Sequence, residues 1–329
     1  MENKKQENIN SSKDNSYAIP AAIIVAGIII ALTISVNNQT SSGKNITSQS
    51  LPEKPAVSQI EQAVLPTDGV VLPISWGDIG KKLVGIGVID GEKFQALYES
   101  KGQFTDEYKN LLLGSSNDKI KINESNAGYL LNLFWALGLA NKNPILENGE
   151  MTNPAYGGAK NFASTGGWTM SVGDPMNHYS KYRFLNLTPE QQALVEKVSK
   201  GIFRPCCGNS THFPDCNHGM AMLGLLELMA SQGVNEQDMW KTALAVNSYW
   251  FPDTYITIAT YMKSKGVEWK DVNPQEMLSA DYSSNKGYAR ISSLVSTPNS
   301  SRSGSGCGVD AGGAVSAPAP TRQQGGCEI

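Results

Sequence analysis

Residues Tyr17–Val36 read YAIPAAIIVAGIIIALTISV, twenty consecutive positions without a charged side chain. A helix needs about 20 apolar residues to cross roughly 30 Å of hydrocarbon. It can do so alone because it satisfies its own backbone polar groups. Pro20 falls in the first turn, where a missing N–H costs little. The segment therefore predicts a single-pass transmembrane anchor. The competing reading is a cleaved secretory signal, but the apolar stretch exceeds the usual signal core and no A-x-A site follows. On either reading the rest of the chain is exported. Lys4, Lys5 and Lys13 precede the segment while Lys44 and Lys54 follow it, a slight bias that places the N-terminus inside. The expected location is the cell membrane, with the C-terminal domain outside the cytoplasm.

That division sets the organisation of the chain. Residues 1–16 are expected as a cytoplasmic tail, 17–36 as the anchor, and 37–69, rich in Ser, Thr, Asn and Pro, as a flexible linker. Residues 70–295 carry helical signals. WGDIGKKLVGIGVI and DGEKFQALYES have helical apolar spacing. SNAGYLLNLFWALGLA (125–140) is apolar nearly all round and too short to span a membrane, so it is expected as a buried core helix. LLLGSSNDKIKI suggests a short strand, and 144–184 a long irregular region. Thr188-Pro189-Glu190-Gln191 is a capping-box start for a helix to about Lys200. Further helices are expected from Asn217 to Gln232, after Asn235, from Pro252 to Gly266, and a short one at Asn273-Pro274-Gln275-Glu276. From 296 to 329 the Ser/Gly/Ala/Pro composition cannot bury a core and is expected to be disordered, with two cysteines. The fold class is thus mainly α: one N-terminal transmembrane helix, a compact helical-bundle-like extracytoplasmic domain and a disordered tail.

The formal net charge of −3, with no long basic run, gives no pull on a phosphate backbone, so no nucleic-acid partner is expected. The chain has five cysteines and three histidines, and five of these eight residues lie between Cys206 and His218, in the pattern CC-x4-H-x3-C-x-H. Soft thiolate and imidazole donors suit zinc or copper. Cys206, Cys207, His212, Cys216 and His218 are the candidate metal ligands, the cofactor being a zinc or copper ion. The foremost set is Cys206, Cys207, Cys216 and His218, with His212 as a fifth or alternative donor. Cys216 and His218 sit at the start of an expected helix, whose N-terminus stabilises a thiolate. The spacing matches no standard zinc finger, no CxxCH haem site and no CxxC redox motif.

Two other chemistries stay open. An exported domain keeps disulfides, so Cys216 could pair with Cys206 or Cys207 as a staple in a non-catalytic surface module. Alternatively Cys216, with His218 or His212 as base, could serve a thiol-based enzyme. Met220, Met222 and Met229 are expected as core fillers rather than copper ligands. Glu227 is expected on an exposed stripe of its helix rather than at the site, and His178 as an ordinary loop histidine. Cys307 and Cys327 in the tail are candidates for intermolecular disulfides or metal transfer. No catalytic residue is assigned.

Overall fold

The computed structural model describes residues 56–295. The tail 1–16, the anchor segment 17–36, and 296–329 with Cys307 and Cys327 lie outside the described residues. Within them the protein is mainly helical, and no helix there is long and apolar enough to cross a membrane.

The chain enters through α1 (Ala56–Val64), which corrects the reading of 37–69 as linker throughout. Ile60, Val64 and Leu65 pack on the core, an i, i+4 apolar pair that the polar surroundings hid. It continues into β1 (Val70–Gly77), where Leu72, Ile74 and Trp76 alternate inward. Two short helices follow, α2 (Ile79–Gly85) and α3 (Gly91–Glu99), then α4 (Asp106–Leu113). Asp90 caps α3 by accepting from the Lys93 N–H, and Thr105 caps α4 through Tyr108. The chain then returns as β2 (Ser116–Ile122), antiparallel to β1, with Val70 opposite Ile122 and Gly77 opposite Ser116.

The core is built on two helices. α5 (Ala127–Ala140) lies against α8 (Asn217–Ser231), with glycine facing glycine. A methyl group on Gly138 would strike the Met220 carbonyl, and one on Gly224 would fall 2.7 Å from the Gly138 nitrogen. Only hydrogen fits at those positions, so the backbones approach closely. Residues 217–230 of α8 are all buried, the three methionines included. Glu227 is therefore fully buried, which corrects the expected exposed stripe: α8 is enclosed on every side and has none. The Glu227 carboxylate accepts from Asn143 Nδ2, the amide whose Oδ1 caps α6 (Pro144–Asn148). At the far end of α8, Gln232 pairs with the backbone of Ser75, accepting from its N–H (2.9 Å) and donating to its carbonyl (2.7 Å). One side chain thus caps the open edge of β1.

Residues 149–187 are irregular, with short 3₁₀ turns, but they are tied down. Trp135 donates to the Ser164 carbonyl and Trp168 to the Val88 carbonyl, and the two indoles meet edge to face at 4.8 Å. α7 (Pro189–Gly201) opens with the complete Thr188/Gln191 capping box. α9 (Glu236–Trp250), α10 (Pro252–Ser264) and α11 (Pro274–Met277) follow the expected starts. The short α12 (Ala280–Ser283) and α13 (Asn285–Leu294) close the described chain; the sequence reading did not foresee these, nor α4 and β1.

Candidate metal centre

The segment from Ile202 to Cys216 folds back on itself. Phe203 and Ser210 form an isolated antiparallel bridge, and the Thr211 N–H donates to the Ile202 carbonyl. The Cys207 N–H closes a turn onto the Arg204 carbonyl at 3.3 Å. Outside partners fix the loop: Phe203 N–H donates to Leu278, Asn285 N–H to Cys207, and Ser164 N–H to Asp215. This fold-back carries the vicinal cysteines to the mouth of α8.

Cys216 is the N-cap of α8, and its sulfur accepts from the Gly219 N–H at 3.4 Å. A sulfur in that position satisfies one of the helix's unpaired donors and meets the positive end of its dipole. Cys206 Sγ lies 3.6 Å from Cys216 Sγ. That is contact distance, well beyond the ~2.05 Å of a covalent S–S bond, so no S–S bond joins the pair in this structure. Donor atoms of Cys206, Cys216 and His218 all fall within 4.8 Å of one another. The His218 ring is buried against Phe251 (4.4 Å between ring centres) and Trp250 (6.0 Å), and its Nδ1 makes no hydrogen bond. Buried polar atoms are nearly always paired, so a buried imidazole with an unpaired nitrogen, set within reach of two sulfurs, suits a metal ligand. The residues present therefore fit a metal ion.

A second group, Cys207, Asp215 and Cys216, is equally compact. Its carboxylate is already committed. Asp215 Oδ1 accepts from Arg204 Nη2 at 2.6 Å, and Oδ2 accepts from Asn209 Nδ2 at 2.8 Å. The Cys207 thiol also points at Asp215, 3.9 Å from Oδ1. We read this group as the support of the centre rather than as its ligand set. Its other member is Arg204, 0% exposed, whose Nε donates to Cys216 Sγ at 3.2 Å and whose Nη2 also reaches the Phe213 carbonyl at 3.2 Å.

The charges follow from these contacts. The Cys206 hydrogen bond, helped by the charge on Arg204 and by His218, holds the Cys216 thiol below its ordinary value despite burial and Cys207. Burial pushes the Asp215 carboxyl up, with Arg204 opposing. Burial works against the Arg204 charge, but Cys216, Cys207 and Asp215 more than compensate.

Of the five residues singled out in the sequence, Cys206, Cys216 and His218 come together, and Cys207 stands beside them on Asp215. His212 is not brought in. It is half-buried, its N–H donates to the Ser199 carbonyl, and its pKa is lowered by burial and by Lys200, with no cysteine acting on it. Its backbone is tied to α7 through Ser199, and Lys200 and Glu196 of that helix are among the charges that act on it. His178 is bound to the Tyr182 hydroxyl (3.0 Å) and near the Val172 carbonyl (3.4 Å). Arg204 and Asp215 were missed. Their signal was two opposite charges flanking the cysteines, in R-P-C-C and D-C, within an otherwise uncharged stretch.

No family model matches the chain, and the comparisons with curated proteins and with solved structures also give no match.

Proposed function

We propose that this chain is a membrane-anchored, extracytoplasmic protein that binds a zinc or copper ion through Cys206, Cys216 and His218, for metal capture, transfer or sensing. The observation that carries the reading is the convergence of those three donors within 4.8 Å. Two thiolates at about 2.3 Å from a tetrahedral zinc stand about 3.8 Å apart, and the 3.6 Å between Cys206 and Cys216 is close to that. The spacing also suits a three-coordinate copper(I) better than a linear one. Three protein donors leave a coordination position open, which favours an ion that is exchanged over one locked in place.

The chain's own residues supply the rest. The Arg204 Nε–H and the Gly219 N–H both donate to Cys216 Sγ, contacts that favour its thiolate form, and Asp215 pairs with Arg204 in the same buried pocket. Phe251 and Trp250 fix the plane of His218. A bound ion would act as a Lewis acid joining the three donors. Cys206 is the half-buried member of the set, and Cys216 and His218 are buried.

The same contacts on Cys216 support a second reading, a thiol nucleophile. Burial weighs against it: Cys216 is 1% exposed, which leaves a substrate no approach. Elemental analysis of the purified protein tests the first reading. Near-stoichiometric zinc or copper, lost in Cys216→Ser, is expected. A metal-free protein whose Cys216 labels rapidly with iodoacetamide would support the second reading instead.

A further inference from the structure

The two sulfur donors are also placed to react with each other. Cys206 and Cys216 lie ten residues apart on different segments, yet their sulfurs touch at 3.6 Å. One is half-buried and the other 1% exposed. A covalent S–S bond is about 2.05 Å long, so closure asks the sulfurs to approach by roughly 1.5 Å. The Cys206 side can supply that movement, because it sits in a turn, whereas Cys216 is fixed at the helix cap and by Arg204.

We propose that Cys206 and Cys216 form a redox gate: oxidation to a disulfide removes two of the three donors and releases the ion. This rests on the metal reading above. The oxidant is a disulfide, on a small molecule or on another protein. The Cys206 thiolate attacks one of its sulfurs, forming a mixed disulfide and expelling the first thiolate. The Cys216 thiolate, already in contact, then attacks Cys206 Sγ and expels the second. The protein pair loses two electrons, and the incoming disulfide gains them as two thiols. Two protons come from solvent, because the metal-bound thiolates carry none. The direction of approach follows from exposure: among the described cysteines Cys206 is half-buried while Cys207 and Cys216 are buried, and Cys216 Sγ is in contact with Cys206 Sγ.

The arrangement also gives the gate a way back. Arg204 Nε–H and Gly219 N–H donate to Cys216 Sγ, the sulfur fixed at the helix cap, and the gate needs no movement of either. Both stabilise the thiolate that leaves when a thiol reduces the bond. Reduction therefore regenerates the two sulfur donors beside His218. Burial of His218 against Phe251 and Trp250 keeps the third donor in place while the sulfurs change state.

The test uses the full chain loaded with Zn(II) and treated with oxidised glutathione. Zinc release is followed with a chromophoric chelator, and the cysteine linkages are mapped by mass spectrometry. Zinc is expected to leave in step with Cys206–Cys216 bond formation and to rebind after reduction. In Cys206→Ser, any residual zinc should be insensitive to the disulfide. Zinc that stays bound through oxidation, or that leaves while a different pair becomes linked, overturns the gate and leaves the metal reading standing. A protein that binds no zinc but still forms the Cys206–Cys216 bond overturns both, and identifies a plain redox dithiol instead.

Discussion

Arg204 Nε lies 3.2 Å from Cys216 Sγ, and both side chains are buried, at 0% and 1% exposure. A guanidinium in such a place has to be paired, and it is, by Cys216 on one edge and Asp215 on another. Removing one member of a buried charge set strands the others, at a cost of about 3–5 kcal/mol. Arg204→Met should therefore destabilise the protein by that order in urea unfolding. Adding Asp215→Asn to it should recover part of the loss. Arg204→Lys should not rescue, because a compact ammonium lacks the fixed fork that reaches Cys216 through Nε and Phe213 and Asp215 through Nη2.

Gly219 is where the guanidinium meets α8. A methyl group there would fall 2.7 Å from Arg204 Cζ, an atom held on both sides and unable to swing away. Ala in place of Gly gains at most about 1 kcal/mol of helix propensity, while overpacking costs about 1–3 kcal/mol. Gly219→Ala should be net destabilising and should weaken metal binding. Equal or higher stability in a thermal melt would show that Arg204 is free to move.

His212 and His218 stand only six positions apart in the sequence and should behave differently. His218→Ala removes a donor and should weaken zinc binding at least as much as losing a ligand's support does, about 10–100-fold. His212→Ala should leave the affinity unchanged. Competition against a chelator of known affinity separates the two. Equal losses would mean that the loop rearranges to bring His212 in.

Glu227 makes stability depend on pH. Burial raises its carboxyl from the ordinary 4.5 to about 8, against the hydrogen bond from Asn143 and the pull of the nearby Asn141 amide. Between those values the folded protein holds a proton that the unfolded chain has released. Its contribution is therefore fully present below the ordinary value and is lost as pH rises towards about 8. The slope is at most about 1.4 kcal/mol per pH unit. Glu227→Gln should flatten that slope between about pH 5 and about pH 8. Urea midpoints across the range check it, and parallel curves for the two proteins would contradict it.

Much of the helical framework was legible because it is written locally. Thr188-Pro189 and Gln191 make their capping box, Asn235 caps α9, and Met239, Ala243, Val246 and Trp250 are buried on one face of it. β1 was not legible. Pro73 argues against a strand, Trp76-Gly77-Asp78 reads as the start of a helical stretch, and the edge is completed by Gln232, 157 positions away from Ser75. Glu227 misled for a related reason: nothing local reveals that α8 is enclosed on all sides. At the site, the density of cysteine and histidine identified the right stretch. Choosing His218 over His212 depended on the turn geometry, and finding Arg204 depended on the fold-back that carries it onto Cys216.

Metal-edge X-ray absorption on the zinc- or copper-loaded protein tests the central claim most directly. The account predicts a shell with two sulfurs and one imidazole nitrogen, with the sulfur signal reduced in Cys206→Ser and in Cys216→Ser and the imidazole signal lost in His218→Ala. A shell of oxygen and nitrogen alone, or one unchanged by all three substitutions, would contradict it.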